Sequence, residues 1–389
     1  MIKEALIAGY LALVKGAASF FNLFPLQNKT VFLSSFGNNA YYVAAELATS
    51  SKQPLIFLNK TKCTIDFSTI PANNKKILKF ETANIVHLVC SLYHLATAKY
   101  IFIDNYVGIL SVMNFRKSVR CVQLWHATGA IKRFGWCEPA TKKRSCLAQK
   151  RFQQVYDRFH FIPVSSRQMA QIFAESFHLD DSRFLYTGVP QTDFYFDDVA
   201  KARGLSCVRK AYPSIVGKRV VLYAPTYRKE LLPTVNTSEW IEKILAGLDD
   251  HHILLLRLHP SAKESINLES DPRLLVVSDY PSVNELLIAT DVLVSDYSSI
   301  SFDFSLLRKK MIFFTYDYKD YKHQQGLWAT NDLYFPGPIV TTTSGLIRHL
   351  NDTSIDFDKI DRFREHWNTY STGQACKNLI SSIYDQQDL

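Results

Sequence analysis

The 389-residue chain carries a formal net charge of +9 and is 47% hydrophobic and 13% aromatic, so it has material for two or three domains and is too apolar to be mainly disordered. The basic excess favours acidic partners: nucleotides, phosphorylated substrates, anionic lipid surfaces or nucleic acid. Seven cysteines, an odd number with no Cys-x-x-Cys pair, indicate neither a zinc site nor a disulfide framework and suit a reducing compartment.

The N-terminus, from Ala5 to Leu26, is mostly apolar, but Lys15 and Asn22 interrupt it and Gly9 and Gly16 weaken it as a helix. It therefore falls short of an uninterrupted spanning segment. Ala17-Ala18-Ser19 is only a loose match to a cleavage site, which argues against secretion. Two readings remain, a helix packed on the folded domain and an amphipathic helix over residues 1–27 lying in a membrane interface. In the second, Leu6, Tyr10, Leu13, Val14, Phe20 and Phe21 dip into lipid, and the aromatic-rich end and basic chain favour it.

After the polar turn Gln27-Asn28-Lys29, the run Val31–Phe36 reads as a first strand, followed by the turn Gly37-Asn38-Asn39 and a helix from Tyr41 to Ala48. Strand-like runs recur at Pro54–Leu58, Lys76–Phe80, Tyr100–Ile103, Val119–Leu124 and Phe159–Val164, with helical stretches such as Val86–Thr97 between them. That alternation predicts βαβ units and a parallel sheet. The charged stretch Asp197–Gly217 breaks the register. A second alternation follows, with strands at Arg219–Tyr223, His252–Leu258, Leu274–Val277, Val292–Ser295 and Met311–Phe314. The expected fold is α/β, with a first domain over 28–198 and a second over 199–389, two sheet-bearing domains facing across a cleft. Asp356–Asp385 reads as mostly helix and closes either one.

In open parallel sheets the ligand sits beyond the carboxyl ends of the strands. In the second half those ends carry Thr226 and Arg228, then Arg257 and His259, then Ser298 and Ser299. An Arg, a His and a Ser pair all suit phosphate oxygens. The Ser pair sits where strand period gives way to helix period, as an N-cap with outward amide groups would. In the first half the outstanding end is Gln123–Gly135, with His126 followed by Thr128, Gly129, Lys132 and Arg133. Together these point to a phosphate or diphosphate site. Asp303, one turn into the helix after the Ser pair, either bonds a donor hydroxyl or fixes the helix. The segment 131–158 holds eight basic residues against Glu138 and Asp157, which reads equally as a solvated face or as an attraction for an anionic surface. No nucleic-acid motif accompanies the charge, no Walker A sequence occurs, and the carboxylates form no metal-binding pattern.

Six ordered strings carry a family resemblance: 123–135 (QLWHATGAIKRFG), 187–194 (TGVPQTDF), 222–228 (LYAPTYR), 257–260 (RLHP), 295–304 (SDYSSISFDF) and 335–339 (FPGPI). They resemble the CDP-glycerol glycerophosphotransferases of wall teichoic acid synthesis, over roughly residues 28 to 385. The resemblance implies a GT-B architecture of two Rossmann-like domains, the C-terminal one binding the CDP donor and the N-terminal one the acceptor. It implies a peripheral enzyme at the cytoplasmic face of the cell membrane, without cofactor. Such an enzyme moves glycerol phosphate from CDP-glycerol to an undecaprenyl-diphosphate-linked saccharide and releases CMP. On that reading His126 is the general base. His259, Arg228, Ser298 and Ser299 hold the diphosphate with Thr226, Arg257 and Asp303 nearby, and Thr128, Lys132 and Arg133 serve the acceptor or its phosphates. Two departures stand out, Gln191 and Gln325, where the family usually has Arg. A primase or short-chain extension enzyme is the first expectation. A polymerase using CDP-glycerol or CDP-ribitol, or a GT-B sugar transferase for capsule or lipid glycan, is the alternative.

Overall fold

Tyr100, Ile101, Phe102 and Ile103 are all buried, as happens to a strand covered on both faces, and in the computed structural model they lie inside a parallel sheet. The structure describes residues 2–81, 83–226, 228, 237–258, 270–328 and 332–385. The first sheet is built from β1 (Gln27–Ser34), β2 (Leu55–Asn59), β3 (Lys75–Lys79), β4 (Ala98–Ile103) and β5 (Arg120–Gln123), in the order β3-β2-β1-β4-β5. A small two-stranded sheet pairs β6 (Ile162–Pro163) with β7 (Phe184–Leu185). The expected strand Phe159–Val164 is thus cut to two residues. Phe161 only bridges Val122 before the backbone turns to β7.

The second large sheet holds β8 (Arg219–Tyr223), β9 (His252–Leu256), β10 (Leu274–Val276), β11 (Val292–Ser295), β12 (Lys310–Phe314) and β13 (Ile339–Val340), in the order β10-β9-β8-β11-β12-β13. Every pairing in both large sheets is parallel. The strand order reverses direction beside β1 in one sheet and beside β8 in the other, and ligands of such sheets gather at that switch point.

By contacts the chain divides into two units. The first is 1–127, 134–193 and 370–389; the second is 128–133 and 194–369. This differs from a contiguous split at residue 198 in three places, the first being that the main boundary falls between 193 and 194. Six residues of the 123–135 motif pack with the second unit, and the last twenty residues return to the first. The C-terminal stretch is two helices, Phe357–Trp367 and Ala375–Ile383, and the chain changes unit in the turn between them. The second of these helices belongs to the first unit's core. Leu379, Ile380, Ile383 and Tyr384 pack with Phe32, Phe57, Tyr100 and Phe102, and the Tyr384 ring stacks on Tyr100 at 3.9 Å. Asp193 caps that helix, its carboxylate accepting from the backbone N–H of Ala375 and Cys376, both at 2.8 Å.

Helix α1 (Ile2–Phe21) docks on the first unit through Leu11, Val14 and Ala18, one stripe at i, i+3 and i+7. The Arg151–Glu4 pair (2.7 Å) and the Asn22 amide on the Asn114 carbonyl (3.0 Å) fasten its two ends. The packed reading of this helix therefore holds for one stripe. Another face stays open, with Leu6 70%, Leu13 77%, Phe20 58% and, just beyond the helix, Leu23 81% exposed. The basic segment 131–158 is not a single patch either. Arg151 is tied to Glu4, Arg158 reaches Asn114, and Lys132 and Arg133 belong to the second unit.

Candidate active site

In the first unit the carboxyl ends of β1, β4 and β5 converge on His126. The loop after β5 is held by side chains. The Trp125 N–H donates to the Gln123 side-chain oxygen (2.9 Å), and the Asn39 amide donates to the Trp125 carbonyl (3.0 Å). Asn39 accepts in turn from the backbone N–H of Gln191 (2.9 Å), so one of the two departures from the family pattern lies buried behind the motif. These bonds hold Trp125 at φ 55°, a left-handed conformation uncommon outside glycine and often retained at functional sites. The half-buried His126 ring stacks with Phe36 (centroids 4.3 Å) and with Trp125 (4.5 Å), and its Nδ1 lies 3.1 Å from the Asp104 carbonyl. A carbonyl only accepts, so Nδ1 carries the proton and the lone pair of the neutral ring is on Nε2.

In the second unit the strand ends meet at two carboxylates that the sequence reading left without a role. Asp296, at the end of β11, accepts from the Thr226 N–H (2.9 Å) and hydroxyl (2.7 Å), the Tyr297 N–H (2.6 Å) and Arg228 Nη2 (2.9 Å). Asp317, after β12, accepts from Arg228 Nε (2.6 Å) and Nη2 (3.1 Å) and from the Tyr297 hydroxyl (3.1 Å). The Arg228 guanidinium also lies over the Tyr321 ring at 4.4 Å, and Tyr321 stacks on Tyr297 at 4.2 Å. Burial works against the charge of Arg228, but the Asp296 and Asp317 carboxylates outweigh it and keep the guanidinium protonated. Arg228 and Thr226, expected as donor contacts, thus have most of their hydrogen-bonding groups engaged with these carboxylates.

The segment 128–133 joins this network, although the sequence reading placed it with the acceptor domain. Lys132 bridges Leu327 in antiparallel fashion, and the Trp328 N–H donates to the Ile131 carbonyl (2.8 Å) while the Arg133 N–H donates to Gly326 (3.0 Å). The Arg133 side chain lies over the Trp328 ring at 5.3 Å. The buried Thr128 hydroxyl donates to the Asp303 carboxylate. Gly129 is required because a Cβ there would fall 2.3–2.5 Å from the Phe302 ring. Burial lowers the pKa of the Lys132 ammonium, the Asp296 carboxylate opposes this and Arg228 reinforces it. Among the described residues no carboxylate lies within ion-pairing distance of that ammonium.

The Ser pair behaves differently from the expected cap. Ser299 is already helical (φ −70°, ψ −5°) and makes no side-chain cap bond, while the Ser298 hydroxyl sits a long 3.4 Å from the Ile300 N–H. Both serines are only half-buried. Arg257 donates to the Tyr280 (2.9 Å) and Val277 (3.3 Å) carbonyls and so pins the loop after β10. His259 lies outside the described residues.

A family model for CDP-glycerol:poly(glycerophosphate) glycerophosphotransferase matches residues 17–385. The chain belongs to this family. The glycerophosphotransferase is 31% identical over 386 residues to the teichoic acid glycerol-phosphate primase of Bacillus subtilis (strain 168), with 98% of each chain covered. It is 34% identical over 304 residues to the teichoic acid glycerol-phosphate primase of Bacillus spizizenii (strain ATCC 23059 / NRRL B-14472 / W23), with 78% of each covered. Its fold matches the wall teichoic acid polymerase TagF with a TM-score of 0.79 at 22% identity, over 95% of this chain and 93% of that one. The glycerophosphotransferase therefore has the GT-B architecture that its six motifs implied.

Proposed function

We propose that the protein transfers glycerol phosphate from CDP-glycerol to a hydroxyl of a lipid-linked saccharide with release of CMP, as a primase or short-chain extension enzyme. The observation that carries this reading is the anchored His126 imidazole, whose Nε2 lone pair is set by the Asp104 carbonyl. The acceptor O–H bond breaks, its proton passes to Nε2, the oxygen bonds to the phosphorus bearing glycerol, and the bond from that phosphorus to CMP breaks. A positioned base contributes on the order of 10²- to 10⁴-fold in rate. Lys132 and the Ser298 and Ser299 hydroxyls hold the donor phosphates and stabilise charge on the departing CMP. Asp296, Asp317, Thr226 and Arg228 frame that site rather than contact the donor directly. The primase reading is supported by the three glycerol-phosphate primases among the relatives.

The test is to supply CDP-glycerol, CDP-ribitol and UDP-sugars separately with a synthetic lipid disaccharide diphosphate. Release of CMP from CDP-glycerol, with one or a few units added to the lipid, is the expected result. Turnover only with CDP-ribitol or a UDP-sugar refutes the donor assignment, and long products refute the primase assignment.

The enzyme works at the cytoplasmic face of the membrane, held peripherally by the open face of α1. Leu6, Leu13 and Phe20, followed by Leu23 and Phe24, enter an anionic bilayer while the exposed Lys15 meets its headgroups. Transfer of one such side chain from water is worth about 1.5–3 kcal/mol. Leu13→Glu combined with Phe20→Glu should therefore reduce flotation with phosphatidylglycerol vesicles by at least about tenfold while leaving the thermal transition in place. Undiminished flotation of that variant would remove α1 from the membrane contact.

A further inference from the structure

We infer that Asp104 is the positioning residue of the His126 imidazole, acting through its backbone carbonyl and its carboxylate together. The inference rests on the reading of His126 as general base. Asp104 follows the last residue of β4, the strand beside β1, and its side chain is 1% exposed. One carboxylate oxygen accepts from the Ser35 N–H (2.7 Å), and the other accepts from those of Phe36 (2.9 Å) and Gly37 (2.7 Å). Three successive amides pointing at one spot make a nest of the kind that elsewhere receives an external anion. Here a side chain from the neighbouring strand fills it. Gly37 holds φ +93° to form the nest, and a Cβ there would fall 2.8–2.9 Å from Ile65 and Cys63.

Filling the nest fixes Phe36, and the Phe36 ring is stacked on the His126 imidazole. The same residue's carbonyl holds Nδ1. One residue thus determines the tautomer of the ring, its rotation and one of its stacked partners. It also supplies charge. Burial raises the Asp104 carboxyl pKa on balance, while the three amides and His126 pull the other way, so the carboxylate and the imidazolium favour each other. Lys60 and Cys63 are the other titratable groups that feel this carboxylate. When Nε2 takes the acceptor proton, the positive charge forms beside the Asp104 carboxylate, which its three amide donors hold in place.

A structural role in closing the loop would cost stability without touching proton chemistry, so the test reads the chemistry. Asp104→Asn keeps the carbonyl but turns an amide NH₂ toward one of the nest donors and removes the charge. It should lower kcat by about 10²-fold with little change in KM for CDP-glycerol, since misplacement of a catalytic group by ~1 Å has an effect of that order. The acid limb of the kcat profile should move to lower pH, because losing the anion disfavours the imidazolium. Phe36→Leu keeps the carboxylate and should lower kcat less, with the limb unmoved. In the wild-type protein, nitrogen-15 spectra of labelled histidine should show neutral His126 as the Nδ1–H tautomer. A wild-type Nε2–H tautomer, or an Asp104→Asn enzyme with normal kcat and an unmoved limb, overturns the proposal. If Asp104→Asn does not fold, the wild-type tautomer decides alone. Full activity of His126→Ala removes the base reading itself; loss there with a normal Asp104→Asn enzyme removes only the positioning role.

Discussion

His126→Ala should lose turnover by about 10²- to 10⁴-fold while binding CDP-glycerol with nearly unchanged affinity. The expectation follows from the division of labour between units. The imidazole lies in the first unit, tied to Asp104 and stacked with Phe36 and Trp125, whereas the donor-phosphate groups proposed above, Lys132, Ser298 and Ser299, belong to the second. His126→Asn sharpens the experiment. Its side-chain amide can still donate to the Asp104 carbonyl but offers no basic nitrogen, so it should be as inactive as the alanine variant with the loop better preserved. CMP release under single-turnover conditions and titration calorimetry with CDP-glycerol measure the two quantities separately. Donor binding abolished together with a near-normal residual rate would show that His126 holds the donor and takes no proton.

Arg228→Ala should destabilise the second unit by about 3–5 kcal/mol, the usual consequence of removing one partner from a buried ion pair. Two carboxylates depend on this guanidinium. Arg228 is 9% exposed by side chain, and Asp296 and Asp317, at 2% and 6%, would be left facing one another without their cation. Asp296 retains the Thr226 and Tyr297 donors, and Asp317 retains the Tyr297 hydroxyl, so the effect should not exceed that range by much. Lys at this position restores charge but not the fork that reaches both carboxylates, and it should recover only part of the loss. Denaturant or thermal unfolding measures the stability. A variant as stable as wild type that merely binds CDP-glycerol weakly would mean that Arg228 is a direct donor contact, as the sequence alone suggests.

What the sequence made legible was whatever depends on local pattern. Unbroken apolar runs such as Val292–Ser295 and Tyr100–Ile103 announce strands covered on both faces, and nearly every such run lies in a parallel sheet close to its expected limits. Motif order was equally legible, because six strings in sequence identify a family where none does alone. The partners of each polar group were hidden, because partnership is set by tertiary approach. Asp104 and Asp296 both stand where an apolar run stops at the carboxyl end of a strand, a position that marks them as candidates. Asp317 has no such mark, since two residues separate it from β12. Nor can spacing reveal that a thirteen-residue motif changes unit twice, leaving His126 with one unit and Lys132 with the other. The Ser pair was legible only in part: Ser299 is the N-cap residue but makes no side-chain cap bond, and it is the Ser298 hydroxyl that accepts from the Ile300 N–H.

The return of residues 370–389 to the first unit has a consequence for how the protein is made. Leu379, Ile380, Ile383 and Tyr384 cover Phe32, Phe57 and Phe102, and they are synthesised after the whole of the second unit. At about 5–20 residues per second, ~10–40 s separates synthesis of residue 193 from synthesis of these four residues. Throughout that interval the second unit can complete its own contacts, but the first sheet waits with an apolar face uncovered. The first unit, although its sheet is made before the second unit, is thus the one that finishes folding last.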